Sequence, residues 1–342
     1  MAQKSSPTAA RAANTLGCRG TYTDPLWRIT VHLTPLEQQL LTHPLLRRLH
    51  FVAHAGASRV VTPQTYSRLE HTLGLLCLVA HWAPQATDLR AAALLHDVGH
   101  LPLSHTFEGL AELNHHHLGR QYARQTARLL EQHGLQLHDI ERVLDGTQPS
   151  PLVGTSGMLN LDHLDSYVRS GRMNGWLTQD PATLLSAMRL NGTTVDTDAA
   201  TAATLVDLVC AEAHAHVSWE NIAPASVVRH AVSALIDDGH QPHALAALTD
   251  DELWTLLLDT PATAAVTRRL RETPHLLTAR AVPEHHPART YSLRKIYRSA
   301  PLLEGRPLAV AAPQLHTRLA ALDTLDRHFA VTWTTGGGGA VC

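Results

Sequence analysis

The chain has 342 residues, 44% hydrophobic and 17% charged, with 25 histidines and a formal net charge of −2. It is long enough to bury a large core, and its near-neutral charge lacks the basic field that non-specific nucleic-acid binding requires. No apolar run reaches the roughly 18 residues of a membrane span, so no membrane association is expected.

In chain order, residues 1–22 read as a disordered tail without the apolar stretch of a secretory signal. Residues 23–190 are mostly helical in pattern and form the expected core domain. Within it, 34–56 has helical spacing with Pro44 near a helix start. "YSRLEHTLGLLCLVAHW" opens on a capping box, Ser67 with Glu70, which places His71 in the first turn of an apolar helix. "TDLRAAALLHDVGH" is a short apolar helix stopped by Gly99 and Pro102. Residues 117–134 form an amphipathic helix closing on Gly134, and 161–175 repeat the pattern. Residues 191–282 are expected to be distal helices packed on the core, entered through a Thr/Ala-rich stretch that is either a hairpin or a break. Residues 283–334 read as a C-terminal extension, exposed over 283–301 and carrying a strand. Its basic cluster Arg289, Arg294, Lys295 and Arg298 reads as solvated surface, and 335–342 as a second tail. The fold class expected is all-α with a small strand-containing C-terminal extension. Cys18, Cys77, Cys210 and Cys342 are too scattered for a zinc knuckle or a disulfide framework, which suits a reducing, cytoplasmic setting.

The stretch "ALLHDVGHLPLSH" holds the first of two His-Asp pairs, His96-Asp97; the other is His138-Asp139. Chance alone gives about one such pair in a chain this rich in histidine, so the pair by itself says little. His71, His96, Asp97 and Asp162 together say more. Each lies in or at the end of an apolar helical segment, where an unpaired charge costs several kcal/mol. Two imidazoles and two carboxylates converging from three helices suit one divalent metal ion: Mn, Fe, Ni, Zn, Co or Mg.

Four segments in order, "SRLEHTLG", "HDVGHLPLSHTFEG", "NHHHLGRQ" and "LDHLDSYVRSGRMNG", resemble the HD-domain metal-dependent phosphohydrolases, in particular the deoxynucleoside triphosphate triphosphohydrolase-like branch and its uncharacterised bacterial relatives. The resemblance runs from about residue 25 to about 310, through "HVSWENIAPASVVRHAV" and "DDELWTLL". It implies that His71, His96, Asp97 and Asp162 bind the ion. It assigns Arg68 to substrate phosphate, where a guanidinium fork suits paired oxygens. It sets His105 and His116 near the scissile phosphate as proton donors, with His100 on the same turn. His115 and His117 flank His116 and leave the register open. Arg169 serves either phosphate or a structural ion pair, and Tyr167 and Asp165 stand in the pocket wall.

The ligand-aspartate segment departs from the family pattern. Asn160 stands where Asp is usual, and His163 where Lys or Arg grips phosphate. Ser166 replaces Tyr, and Ser170 replaces an Asp that reads the sugar. Losing a fixed cation weakens the case for a triphosphate and opens a monophosphate or another phosphorylated metabolite. The function implied is metal-dependent hydrolysis of a nucleotide phosphate ester or anhydride in a homo-oligomer. The rivals are an HD-type di-iron oxygenase, drawing further ligands from His100, His105 and His116, and a non-catalytic nucleotide-binding regulator.

Overall fold

Side-chain caps set the helix starts. The Ser67 hydroxyl accepts the Glu70 N–H while the Glu70 carboxylate takes the Ser67 N–H at 2.8 Å, the capping box expected from sequence. Thr34 with Glu37 and Thr249 with Glu252 repeat it. The computed structural model describes residues 20–284 and 290–334. After the hairpin β1 (Thr21–Thr23) and β2 (Thr30–His32) come α1 (Pro35–Thr42), α2 (Pro44–Leu49), α3 (Arg68–Trp82), α4 (Thr87–Leu95), α5 (His115–Ala123), α6 (Ala127–Gln132), α7 (Leu137–Leu144), α8 (Leu161–Met173) and α9 (Pro181–Ser186). The hairpin β3 (Met188–Asn191) and β4 (Thr194–Thr197) leads to α10 (Ala199–His216), α11 (Trp219–Asp237), α12 (Pro242–Ala247), α13 (Asp250–Asp259) and α14 (Pro261–Glu272). Then follow β5 (Leu277–Ala281), β6 (Thr290–Ser292), β7 (Leu302–Leu303), β8 (Arg306–Pro307), α15 (Leu308–Ala311), α16 (Pro313–Ala321) and β9 (His328–Trp333).

The fold is therefore mainly helical, and "all-α" holds only roughly. Small sheets run β1-β2, β3-β4-β7-β8 and β5-β9-β6. The Thr/Ala-rich stretch resolves into the end of the β3-β4 hairpin and the start of α10, so it is neither wholly turn nor wholly helix. Residues 20–22, the end of the expected tail, are part of the fold, because Thr21 pairs with His32 and Tyr22 with Val31. Residues 1–19 and 335–342, read as tails, lie outside the described residues. The stretch 117–134 is two helices, because the buried Thr126 hydroxyl bonds the Ala123 carbonyl and marks a 3₁₀ turn between them. The part of 283–301 that is described is not an exposed extension. Ile296 and Ser299 are buried and Leu293 and Tyr297 pack on the core, apolar residues too widely spaced among charges to announce themselves in sequence.

Two apolar cores divide the molecule. The first joins α3, α4 and α8 with α10 and with Leu303, Leu308, Leu315 and Leu319 from the C-terminal segment. The second joins α11, α13 and α14 with Leu101, Leu103, Phe107, Leu113 and Leu118. The HDVGH segment passes from one to the other. There Gly99 lies so close to α5 that a Cβ on it would stand 2.1 Å from the His115 carbonyl oxygen and 2.2 Å from the Gly119 nitrogen. No other residue type fits without moving backbone. Gly99→Ala should therefore lower stability by about 1–3 kcal/mol, the usual range for overpacking. An unchanged melting temperature would contradict that contact.

Candidate metal centre and active site

Helix geometry brings the four expected ligands together. His71 projects from the first turn of α3, His96 caps the C-terminus of α4 with Asp97 beside it, and Asp162 lies in the first turn of α8. His71 Nε2 is 2.9 Å from Asp162 Oδ1, and His96 Nε2 is 3.3 Å from both His71 Nε2 and Asp97 Oδ1. Each imidazole has its Nδ1 tied outward: that of His71 to Asp165 Oδ2 at 2.8 Å, and that of His96 to the Ala93 carbonyl at 2.8 Å. With Nδ1 donating in both rings, the facing Nε2 atoms are relieved by a proton on His71 or by a cation between them. His71, His96 and Asp97 form a group that could hold a metal ion, with Asp162 Oδ1 2.9 Å from His71 Nε2 and 3.9 Å from His96 Nε2, and imidazole with carboxylate suits a divalent transition ion.

Behind the ligands lies a buried ionic chain that the sequence did not announce. Asp165, fully buried one turn past Asp162, accepts from His71 Nδ1, from Trp27 Nε1 at 2.7 Å, and from Arg169 Nε and Nη2 at 3.0 and 2.9 Å. Arg169 also donates to buried Asp24 at 2.9 Å. Arg169 is thus a structural cation held by two carboxylates and is not among the residues that line the cavity; of its two sequence alternatives this is the ion pair and not the phosphate ligand. Burial works to raise Asp165, but Arg169 and His71 outweigh it and hold the carboxyl at about 2. Gly74 makes room for the chain, since a Cβ there would lie 2.1 Å from Arg169 Nη2.

Asp97 is braced on both oxygens. His100 Nε2 lies 2.9 Å from Oδ1, and Arg68 Nη1 donates to Oδ2 at 3.1 Å. Burial favours the neutral acid, yet His96, His100 and Arg68 together hold Asp97 well below the usual carboxylate range. His100 is buried, and desolvation together with Arg68 keeps it neutral, so it orients Asp97. Arg68 also donates Nε to Ser104 Oγ at 2.8 Å, and its Nη2 edge has no protein partner among the described residues.

A second group stands beside the first. Glu108 takes His105 Nδ1 on one oxygen and His115 Nδ1 on the other, each at 2.7 Å. His115 stacks on His100 with centroids 4.4 Å apart. Of the three adjacent histidines, His115 is the one that meets Glu108; His116 is exposed with its ring against His115, and it too lines the cavity described below. Asn114 caps α5, which makes His115 its first residue and turns that side chain back onto Glu108. Burial acts to raise Glu108, but hydrogen bonds from His105 and His115 hold it far below its ordinary value. Desolvation lowers His105 against the pull of Glu108.

Both groups open on one cavity of roughly 1820 Å³. Its wall includes the other sequence candidates: His163, whose Nδ1 lies 2.6 Å from Ser299 Oγ, and buried Tyr167. Burial lowers His163, so it supplies no fixed cation where the family has Lys or Arg. Arg294, Lys295 and Arg298 are exposed, as expected of a solvated cluster, and also line the cavity, where Arg298 pairs with Asp323. Arg289 lies outside the described residues. Ser170 joins a neutral network instead of reading a sugar with charge: its hydroxyl bonds Gln64 and Tyr66 at 2.9 Å each. His54, which no motif flagged, stacks on Tyr66 and meets the His71 ring edge-on at 5.0 Å.

Fold and site define a mainly helical protein with an H…HD…D cluster that could hold a metal ion beside a large cavity. The HD domain family model matches residues 68–151, and the relatives support a place among the HD-domain phosphohydrolases. It is 27% identical to the metal-dependent phosphohydrolase cns2 of Cordyceps militaris over 65% of this chain and 68% of that one. It is 31% identical to the deoxynucleoside triphosphate triphosphohydrolase SAMHD1 of Homo sapiens over 23% of this chain and 15% of that one. Another curated relative is matched over only 21% of its length, so the chain spans a small part of several proteins it resembles. The crystal structure of a phosphohydrolase from Bacteroides thetaiotaomicron superposes with a TM-score of 0.64 at 16% identity, over 92% of this chain and 99% of that one, and shares the fold.

Burial acts to lower His71, but its hydrogen bonds to Asp162 and Asp165 overcome this and raise it from 6.5 to about 9 in the ion-free protein. Because the folded value lies above the unfolded one, that stabilisation is complete below pH 6.5 and is lost as pH rises through 9. An ion at Nε2 must displace the proton, so ion affinity should climb with pH up to about 9. Calorimetric titration with Mn²⁺ at pH 7, in two buffers of different protonation enthalpy, should report about one proton released per ion. Asp165→Asn, with all four donors retained, should weaken Mn²⁺ binding by roughly 10–100-fold; unchanged affinity would remove Asp165 from the centre's support.

Proposed function

We propose that the protein is a metal-dependent phosphohydrolase acting on a nucleotide, as the HD-domain match and the activities for which its relatives are named suggest. The observation that carries the reading is the pair of opposed Nε2 atoms of His71 and His96, flanked by Asp97 and Asp162 and open to the same cavity as Arg68 and His105. A bound divalent ion supplies Lewis acidity and a water of lowered pKa.

The chain's own residues divide the remaining work. Arg68 offers its free guanidinium edge to a phosphate oxygen and stabilises charge as it develops. Glu108 fixes the Nδ1–H tautomer of His105, leaving Nε2 as an acceptor toward the cavity. Neutral His105 takes the proton from the attacking water as its oxygen bonds to phosphorus, then returns that proton to the leaving oxygen as the old P–O bond breaks. His105 thus acts first as base and then as acid, with Glu108 and His115 as its support in place of His116. His163 and Gln64, which line the cavity without a fixed charge, favour a substrate of lower charge than the triphosphate named for SAMHD1.

A two-ion reading has one observation in its favour: the ligand atoms of His105, Glu108 and His115 lie within 4.8 Å of one another. Elemental analysis of purified protein decides it, since two irons per chain with a redox-active spectrum would displace the hydrolase reading. The hydrolase itself is tested by phosphate release across nucleoside mono-, di- and triphosphates with Mn²⁺, Fe²⁺, Ni²⁺ or Mg²⁺. Turnover is expected with at least one pair, and Asp97→Ala should reduce it to background while lowering bound metal. Release that survives Asp97→Ala would refute the assignment.

A further inference from the structure

Asp250, in the first turn of distal helix α13, is buried, yet it contacts no candidate ligand or cavity residue through a charged partner. Its carboxylate instead holds two backbone segments. Oδ1 accepts the Leu103 N–H at 2.6 Å and Oδ2 the Ala53 N–H at 2.8 Å, while its own N–H donates to the Phe51 carbonyl at 3.0 Å. Leu103 and Ser104 are both left-handed, each at φ 54. Two consecutive non-glycine residues in that region are costly, and such strain persists only where surrounding structure holds it. The turn has a purpose legible in its contacts. Ser104 Oγ donates to the Ala53 carbonyl at 2.6 Å and accepts Arg68 Nε at 2.8 Å. His105 follows immediately.

A second tie runs the same way. Arg48 on α2 donates to the Ala246, Ala247 and Leu248 carbonyls at the end of α12 and to the His100 carbonyl at 2.8 Å. Asp250 of the distal bundle thus holds one end of the 100–104 turn and Arg48, anchored to the end of α12, holds the other, whereas the candidate ion ligands stand on helices of the first core.

We propose that Asp250 is a positioning residue of the active site: from the distal bundle it holds the left-handed Leu103–Ser104 turn and, through Ser104, aims Arg68. Its catalytic meaning rests on the hydrolase reading above; its hold on Arg68 does not. Asp250→Asn keeps the shape of the side chain but replaces one of its two acceptors with an amine that cannot receive an N–H. Leu253→Ala, a buried change on the same helix in the apolar cluster that includes Leu103, removes no hydrogen bond to either segment and serves as the control for general destabilisation.

The readout is hydrogen exchange of the Arg68 Nε–H followed by ¹⁵N NMR, with Arg68→Lys identifying the signal. Asp250→Asn should speed that exchange by about tenfold or more, and Leu253→Ala should leave it near wild type, because the opening released is local to the turn. Mn²⁺ affinity should stay unchanged in both variants. Equal exchange in Asp250→Asn and Leu253→Ala would overturn the proposal. Should Asp250→Asn not fold, wild type alone decides: the Ala53, Leu103 and Arg68 Nε protons should exchange as one unit, and rates that differ by more than about tenfold after intrinsic correction would overturn it. If the chain releases phosphate, Asp250→Asn should also raise KM and lower kcat. If it releases none, the exchange result stands while the hydrolase reading falls.

Discussion

The carboxylate of Asp165 is the point on which the centre hangs. It receives an imidazole, an indole and a guanidinium, and so ties α3, the N-terminal turn at Asp24–Trp27 and α8 to one buried charge. Such a group cannot be loosened piecemeal, because removing one partner of a buried pair leaves a charge uncompensated at a cost of about 3–5 kcal/mol. The result is that His71 has one tautomer and one orientation before any ion arrives. Gly74 belongs to the same device, since only a residue without Cβ leaves room for the Asp165–Arg169 pair against α3.

The reactive side chains follow from a second constraint, the passage of the HDVGH segment between two cores. Gly99 brings α5 against the segment closely enough for His115 to stack on His100, and Glu108 then collects His105 and His115. The left-handed turn at Leu103–Ser104 carries the chain from the ligands to His105 without lengthening the loop. Proximity of the two groups is therefore a property of backbone packing as much as of side-chain identity.

Much of this was legible in sequence. The Ser67 capping box placed His71, the stop at Gly99 and Pro102 placed His96 and Asp97, and helical spacing placed Asp162. What stayed hidden depends on contacts across long sequence separations or on rotation within one turn. Asp24 and Trp27 stand among residues read as leading out of a tail, and their role exists only through Asp165, more than a hundred positions away. Three adjacent histidines differ by about 100° each around α5, so composition could not say that His115 faces inward. Arg169 shares the face of Asp162 and so stayed open between phosphate ligand and ion pair, because its pairing with Asp24 was invisible. The segment at 290–299 hid its apolar residues among basic ones and was taken for surface.

The division into two cores separates two kinds of inheritance. The candidate ion ligands are mounted on α3, α4 and α8, and the His105–Glu108–His115 group on a turn that packs with α11, α13 and α14. Substitutions in the distal helices therefore act first on that turn, and touch the ligands through the Arg68 and His100 contacts to Asp97. Both halves of the sequence line the one cavity, the second from Ala211 to Arg327. A chain arranged in this way is free to drift along that part of its cavity wall while His71, His96 and Asp162 keep their own supports.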